Sequence, residues 1–199
     1  MLKKSHLFMA FLALFTVAVA APAPTKYSAD VAHSNVSFSV PILDGISHVN
    51  GKFTSFTVDI DYDEVNVSKS SVSAKVKTAS IDTGIEARDK HLRNPDFFDA
   101  EKYPEITFQS KRVQKKGKRL LVTGDFSMHG VTKEIVIPFT ATGKFTDIKT
   151  KRTSVGFQAN FPVNRRDYGM NYANAAVPNF VGDVVNIDLA ILVRTEAPK

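Results

Sequence analysis

The chain of 199 residues contains no cysteine. That absence excludes disulfides, a thiol nucleophile and a lipid-modified N-terminal cysteine, so burial and hydrogen bonding alone must hold the fold. Also missing are a G-x-S-x-G elbow, a P-loop, an S-x-x-K pair and a dinucleotide glycine fingerprint, the signs of common hydrolase and nucleotide chemistry. No H-E-x-x-H spacing occurs. His33, His48, His91 and His129 lie far apart, so a metal site would have to be assembled from distant segments, and neither a metal nor a cofactor is expected. Charge is only mildly unbalanced, at +6. The cations neither line a helix nor interleave with aromatics, which argues against a nucleic-acid partner.

Long apolar runs are lacking too, with one exception. Lys3 and Lys4 precede an uncharged run from Leu7 to Ala21 that ends in Ala18-Val19-Ala20, an A-x-A cleavage pattern. Residues 1–20 are therefore predicted to be a signal peptide. The run is shorter than the roughly 20 residues of a bilayer span, and Pro22 and Pro24 oppose helix continuation. A single domain over residues 21–199, exported to the periplasm and soluble once cut, is the expectation.

What the sequence does contain is period-2 alternation, clearest where Phe56, Val58, Ile60 and Tyr62 alternate with Thr57, Asp59, Asp61 and Asp63. Similar runs at 33–40, 53–63, 71–81, 105–114, 118–128, 133–143, 152–162 and 183–195 predict eight strands. Short turns such as Lys115-Lys116-Gly117 favour antiparallel hairpins. The expected fold is all-β: an eight-stranded antiparallel barrel with a short helix in the crossover between strands 3 and 4. Two connections are long, Asp82 to Pro104 and Pro162 to Val181, and long ordered loops often bind ligands or act as lids.

Alternation assigns faces but leaves the interior open. Val185, Ile187, Leu189, Ile191 and Val193 share one face of the last strand, and Val155, Phe157, Ala159, Phe161 and Val163 one face of its predecessor. An eight-stranded barrel is either filled by such side chains or hollow enough for one small ligand. The small residues of Val72, Ala74, Val76, Thr78 and Ser80 leave room for the second alternative.

Arg88 to Ser110 joins a short helix to a strand through closely spaced aromatics. Thr83-Gly84-Ile85-Glu86 has capping-box spacing, and Asn94-Pro95 stops the helix. Phe97, Phe98 and Tyr103 are too apolar to leave in water, so this connection must pack onto or into the domain. Arg88, Asp89, His91 and Leu92, then Asp96 to Asp99, then Tyr103, Pro104, Ile106, Phe108 and Ser110 follow a pattern R-D-x-H-L, D-F-F-D, Y-P-x-I-x-F-x-S. In the same order along the chain lie His33 to Phe38, Gly51-Lys52-Phe53, Gly124-Asp125-Phe126, His129 to Lys133 and Arg165 to Met170. With these landmarks, from about Lys26 to Glu196, the chain resembles the YceI-like family of bacterial exported proteins.

That resemblance implies a lipocalin-like barrel with an elongated apolar lumen for a polyisoprenoid chain, and hence carriage or sequestration rather than catalysis. It further implies a polyisoprenoid or quinone-like lipid as partner, transient contact with a membrane or membrane cytochrome, and a monomer or homodimer. Lumen candidates are Phe38, Phe108, Phe126, Phe157 and Phe161. Candidates for the mouth and a polar headgroup are Arg88, His91, Arg165, Asp167 and Tyr168. Arg165 and Arg166 offer forked donors to a phosphate, with Asp167 to orient one of them, or else form an Arg–Asp pair tying the loop to the barrel. Two rival readings remain: an enzyme on a lipid-like substrate with His91 or His129 as acid or base, and an interaction module with a solid barrel. Six cations between Lys111 and Arg119 crowd a hairpin tip. They either keep an exposed tip solvated or meet anionic headgroups.

Overall fold

The computed structural model describes residues 23–177 and 179–197; the expected signal peptide lies outside them. Eleven strands form one antiparallel sheet: β1 Thr25–Ala29, β2 Asn35–Ile42, β3 Ser47–Phe53, β4 Phe56–Tyr62, β5 Ser71–Lys77, β6 Ile81–Asp82, β7 Glu105–Lys116, β8 Arg119–Met128, β9 Val131–Thr146, β10 Thr153–Asn164 and β11 Val184–Arg194. A single α-helix among the described residues, α1 Glu86–Arg93, lies between β6 and β7.

The eleven strands are eight with bends. β2 and β3 form a hairpin around the turn Leu43–Ile46, with Phe38 opposite Gly51, and the antiparallel pairing resumes beyond the bend, shifted by two residues, where β1 meets β4 with Tyr27 opposite Ile60. β4 and β3 pair in turn with β5 and β6. β11 then pairs with β10 on one side and with both β2 and β1 on the other, which closes the barrel. The expected eight-stranded barrel with its helix after the third strand is what the chain forms.

The bends share a cause. At Asp30–Ser34 a 3-10 turn interrupts the first strand, and the Ser34 hydroxyl exchanges hydrogen bonds with the Leu192 backbone at 2.9 and 3.3 Å. At Thr54–Ser55 the second strand breaks, and Ser80 accepts from both residues: its carbonyl from the Thr54 N–H, its hydroxyl from the Ser55 N–H. Serine hydroxyls thus replace ladder bonds where three neighbouring strands turn a corner together. Two pieces escaped the sequence pattern for local reasons. β1 carries one buried apolar side chain, Tyr27, and β3 has only Val49 before Phe53 on its inward face.

Turns and loops sort by end. One end carries the loops 63–70, 117–118 and 147–152; the other carries the β2–β3 turn and both long connections, 83–104 and 165–183. The capping box does not form. Ile85 occupies the N-cap position and α1 has no side-chain cap; instead the Thr83 N–H and hydroxyl both donate to the buried Asp89 carboxylate. Glu86 is thus replaced as Thr83's partner by a residue one turn further on. Asn94 ends the helix as expected.

Candidate ligand-binding cavity

The inward faces of the strands do not meet. Between them runs a cavity of about 360 Å³, within the range of small-molecule sites, lined almost wholly by apolar atoms. In a filled barrel every inward side chain would be buried. Here Phe38, Phe126, Phe139, Val72, Ile187 and Leu189 keep accessible surface, although all point inward and line the cavity.

All five lumen candidates reach this space. Phe108, Phe157 and Phe161 form buried wall, whereas Phe38 and Phe126 are part-exposed to the cavity. Phe38 leans on Phe53, ring centroids 5.9 Å apart, and Phe53 meets the edge of Phe98 from the helical connection at 5.9 Å. The aromatics after α1 do enter the domain.

The mouth candidates divide. Arg88 and His91 project from α1 onto the cavity rim. The Arg88 guanidinium donates to the Thr83 hydroxyl at 2.8 Å and the Thr83 carbonyl at 2.9 Å. His91 sits edge-on to Phe97 and Tyr172, at 5.1 and 5.4 Å, and its Nε2 lies 3.0 Å from the Asp96 carboxylate. Phe97 and Tyr172 are themselves 4.6 Å apart, so helix and long loop meet in a three-ring gate.

Arg165 also borders the cavity, but its donors are committed elsewhere. The side chain is 5% exposed and donates to the carbonyls of Met170, Gly182 and Val181, at 2.6, 3.0 and 3.1 Å, and to the Asp183 carboxylate at 3.0 Å. Burial pulls this guanidinium below its ordinary pKa, with Asp183 opposing. Arg166 shares the same Asp183 oxygen at 2.6 Å. The carboxylate that orients both arginines is therefore Asp183 and not Asp167, which faces Lys133 at 3.3 Å. Tyr168, expected at the mouth, is buried with its ring edge against Phe126 at 5.4 Å, and its carbonyl accepts from His129 Nδ1. Neither Asp167 nor Tyr168 lines the cavity.

The long loop contributes wall residues that were not among the site candidates: Met170, which ends the Arg165–Met170 landmark, and Tyr172, Phe180 and Val181, which no motif singled out. Their only signal was an aromatic-containing loop too long for a turn. The loop is stitched to the β2–β3 turn, where Leu43 and Gly182 donate to the carbonyls of Phe180 and Pro41.

The opposite end is shut. Tyr62 meets Phe157 edge-on at 5.5 Å. Above it Lys144 of β9 reaches Glu64 of the β4–β5 loop at 2.8 Å. β4 and β9 face each other across the ring, so this ion pair crosses the barrel's end. Burial raises the pKa of both Tyr27 and Tyr62 beneath it. Among the described residues no cluster of three histidine, aspartate or glutamate side chains could hold a metal ion.

A family model described as the YceI-like domain matches residues 27–193. The chain belongs to the YceI-like family. Full-length YceI-like relatives include a UPF0312 protein of Photorhabdus laumondii, 36% identical over 170 residues, covering 84% of this chain and 87% of that protein. Protein YceI of Escherichia coli O157:H7 is 34% identical over 85% of this chain and 88% of its own length. A UPF0312 protein of Vibrio parahaemolyticus is 47% identical over 107 residues, where the match spans 53% of this chain and only 56% of that relative. Among solved structures, BcnA of Burkholderia cenocepacia superposes with a TM-score of 0.74 at 22% identity, over 82% of this chain and 98% of its own. A Saccharophagus degradans domain, described as polyisoprenoid binding and implicated in plant cell wall breakdown, has the same fold at a TM-score of 0.63 and 19% identity, over 86% and 98% of the two chains.

Proposed function

We propose that this YceI-like barrel is a periplasmic protein that carries or sequesters a polyisoprenoid or similar long apolar lipid, a quinone tail included, in its lumen. The observation that carries this reading is the apolar cavity along the barrel, lined by inward side chains such as Phe38, Phe126, Ile187 and Leu189 that are only partly buried. An unfilled apolar space of this size forfeits the contacts a packed core would make, and an isoprenoid chain restores them. Each buried methylene-sized group contributes on the order of 0.8 kcal/mol before ordering costs. The Saccharophagus degradans relative described as polyisoprenoid binding supports the choice of lipid, and Lys3, Lys4 and the Leu7–Ala21 run support export.

A polar head would lie at the gate formed by His91, Phe97 and Tyr172, beside Arg88, because polar side chains border the cavity there. Arg165 serves by holding the loop wall in place. His129 is committed to the Tyr168 carbonyl away from the cavity, which disfavours it as an acid or base acting on a bound substrate.

The test is organic extraction of protein purified from the periplasm without detergent, followed by mass spectrometry and by titration of stripped protein with polyprenyl lipid. An isoprenoid mass series near one per chain, or saturable uptake at that ratio, is expected. Protein that extracts clean and takes up no polyprenyl chain overturns the proposal.

A further inference from the structure

The closed end of the barrel carries a charge and shape that the lumen does not explain. Its three projecting loops, residues 63–70, 115–119 and 144–152, hold nine lysines and arginines against three acids. The four connections at the other end, 43–46, 83–104, 129–130 and 165–183, hold six against eight. The three acids of these loops are occupied. Glu64 pairs with Lys144, Asp63 accepts from the backbone N–H groups of Val65 and Asn66, and Asp147 accepts from those of Lys149 and Thr150. Among the described residues, Lys144 alone of the nine cations is ion-paired at a carboxylate.

Large apolar side chains stand out from the same loops. Val65 is 96% exposed, Ile148 82% and Phe145 66%. Leaving three such groups in water is costly, and solvation of a hairpin tip needs the cations but not the apolar residues. They stand on two loops, Val65 on 63–70 and Phe145 with Ile148 on 144–152, with cations beside them in the sequence, and their exposure shows that none is covered by a neighbour. A planar surface can receive all of them together. Cations seated at headgroup level with apolar side chains reaching just below it is the arrangement by which peripheral proteins hold an anionic bilayer.

We infer that this end of the barrel docks on an anionic lipid surface, with Phe145, Ile148 and Val65 entering the interface and the cations of 115–119 and 149–152 meeting the headgroups. The gate between α1 and the long loop then faces away from the membrane. This surface is independent of what fills the lumen.

Co-sedimentation of residues 21–199, which hold the whole barrel, with vesicles of phosphatidylcholine alone or mixed with phosphatidylglycerol tests it. Binding only to the mixed vesicles, weakening as salt is raised, is expected. Each lysine or arginine near such a surface is worth about fivefold in binding. K115Q/K116Q/K118Q/R119Q should therefore lose at least tenfold, and F145S/I148S a similar factor. Thermal melts and polyprenyl uptake of both variants should match the parent, which separates a failure of this surface from a failure of the lumen reading. Wild-type protein that ignores anionic vesicles overturns the inference. So does binding unchanged in both variants, which would move the contact to the Leu43–Ile46 rim. Binding to polyglutamate without binding to vesicles also overturns it, assigning the patch to an acidic polypeptide.

Discussion

Replacing Arg165 tests the claim that its guanidinium is a structural hub. The R165M variant keeps an unbranched apolar stem and removes four charge-assisted hydrogen bonds, three of them to backbone carbonyls of the long loop. Each such bond contributes roughly 1.5–3 kcal/mol. They act on one side chain and do not fully add; Asp183 is half-exposed and keeps Arg166, so the cost lies mainly in the loop carbonyls left without a donor, about 1–3 kcal/mol each. A loss of about 4 kcal/mol in a chain of this size lowers the melting temperature by about 8–16 °C. The loop that loosens carries Met170, Tyr172, Phe180 and Val181, so polyprenyl uptake should fall with stability. R165K should recover less than half of the loss, because one ammonium cannot meet the carbonyls of residues 170, 181 and 182 in a fork. Thermal denaturation and lipid titration are read together. An R165M protein that melts within about 2 °C of wild type while losing uptake would refute the anchoring argument and return Arg165 to the headgroup.

Three further outcomes are expected. L189W places a large ring in the open lumen, so lipid uptake should fall sharply while the melting temperature stays near wild type; a filled barrel would instead lose about 1–3 kcal/mol to overpacking. G124A adds a Cβ 2.7 Å from Phe108 Cζ and 2.8 Å from Ser110 Cα, beside the register shift between β7 and β8, and should cost about 3 kcal/mol by denaturant midpoint; a wild-type midpoint would show that the wall yields. In the folded protein three carboxyls have lowered pKa values: Asp30, where the His33 and Arg194 contacts outweigh burial, Glu105, through its bond from Lys77, and Asp147, through backbone N–H donors. The unfolded chain therefore takes up protons first. Stability should be full above the unfolded carboxylate value of about 4 and decline as pH falls toward the lower folded values. Burial raises Tyr27, Tyr62 and Tyr168, which adds a second decline above about pH 10. A melting temperature flat from neutrality to pH 3 would contradict the acid limb.

The chain by itself determined its strands, their inward faces and the place of its helix, because an alternation such as Phe56 to Tyr62 states which side chains must leave water whatever else the chain does. It also marked Phe97 and Phe98 for burial and all five lumen phenylalanines. Where hydroxyls replace ladder bonds, at Ser34 and Ser80, the pattern lapsed and the bends went unread. Thr83 was legible as a cap by spacing alone, yet Asp89 was the nearer partner once the turn was built. Hollowness was decided only by tertiary structure: a period of two says that Phe38 and Leu189 point inward, while the radius of the closed barrel decides whether opposite walls touch. The role of Arg165 was settled in the same way, since carbonyls from residues 170, 181 and 182 converge on it only after the loop has folded back. The charged, apolar-tipped end has the same origin. Loops 63–70, 115–119 and 144–152 are scattered along the chain, and barrel closure alone gathers them at one rim.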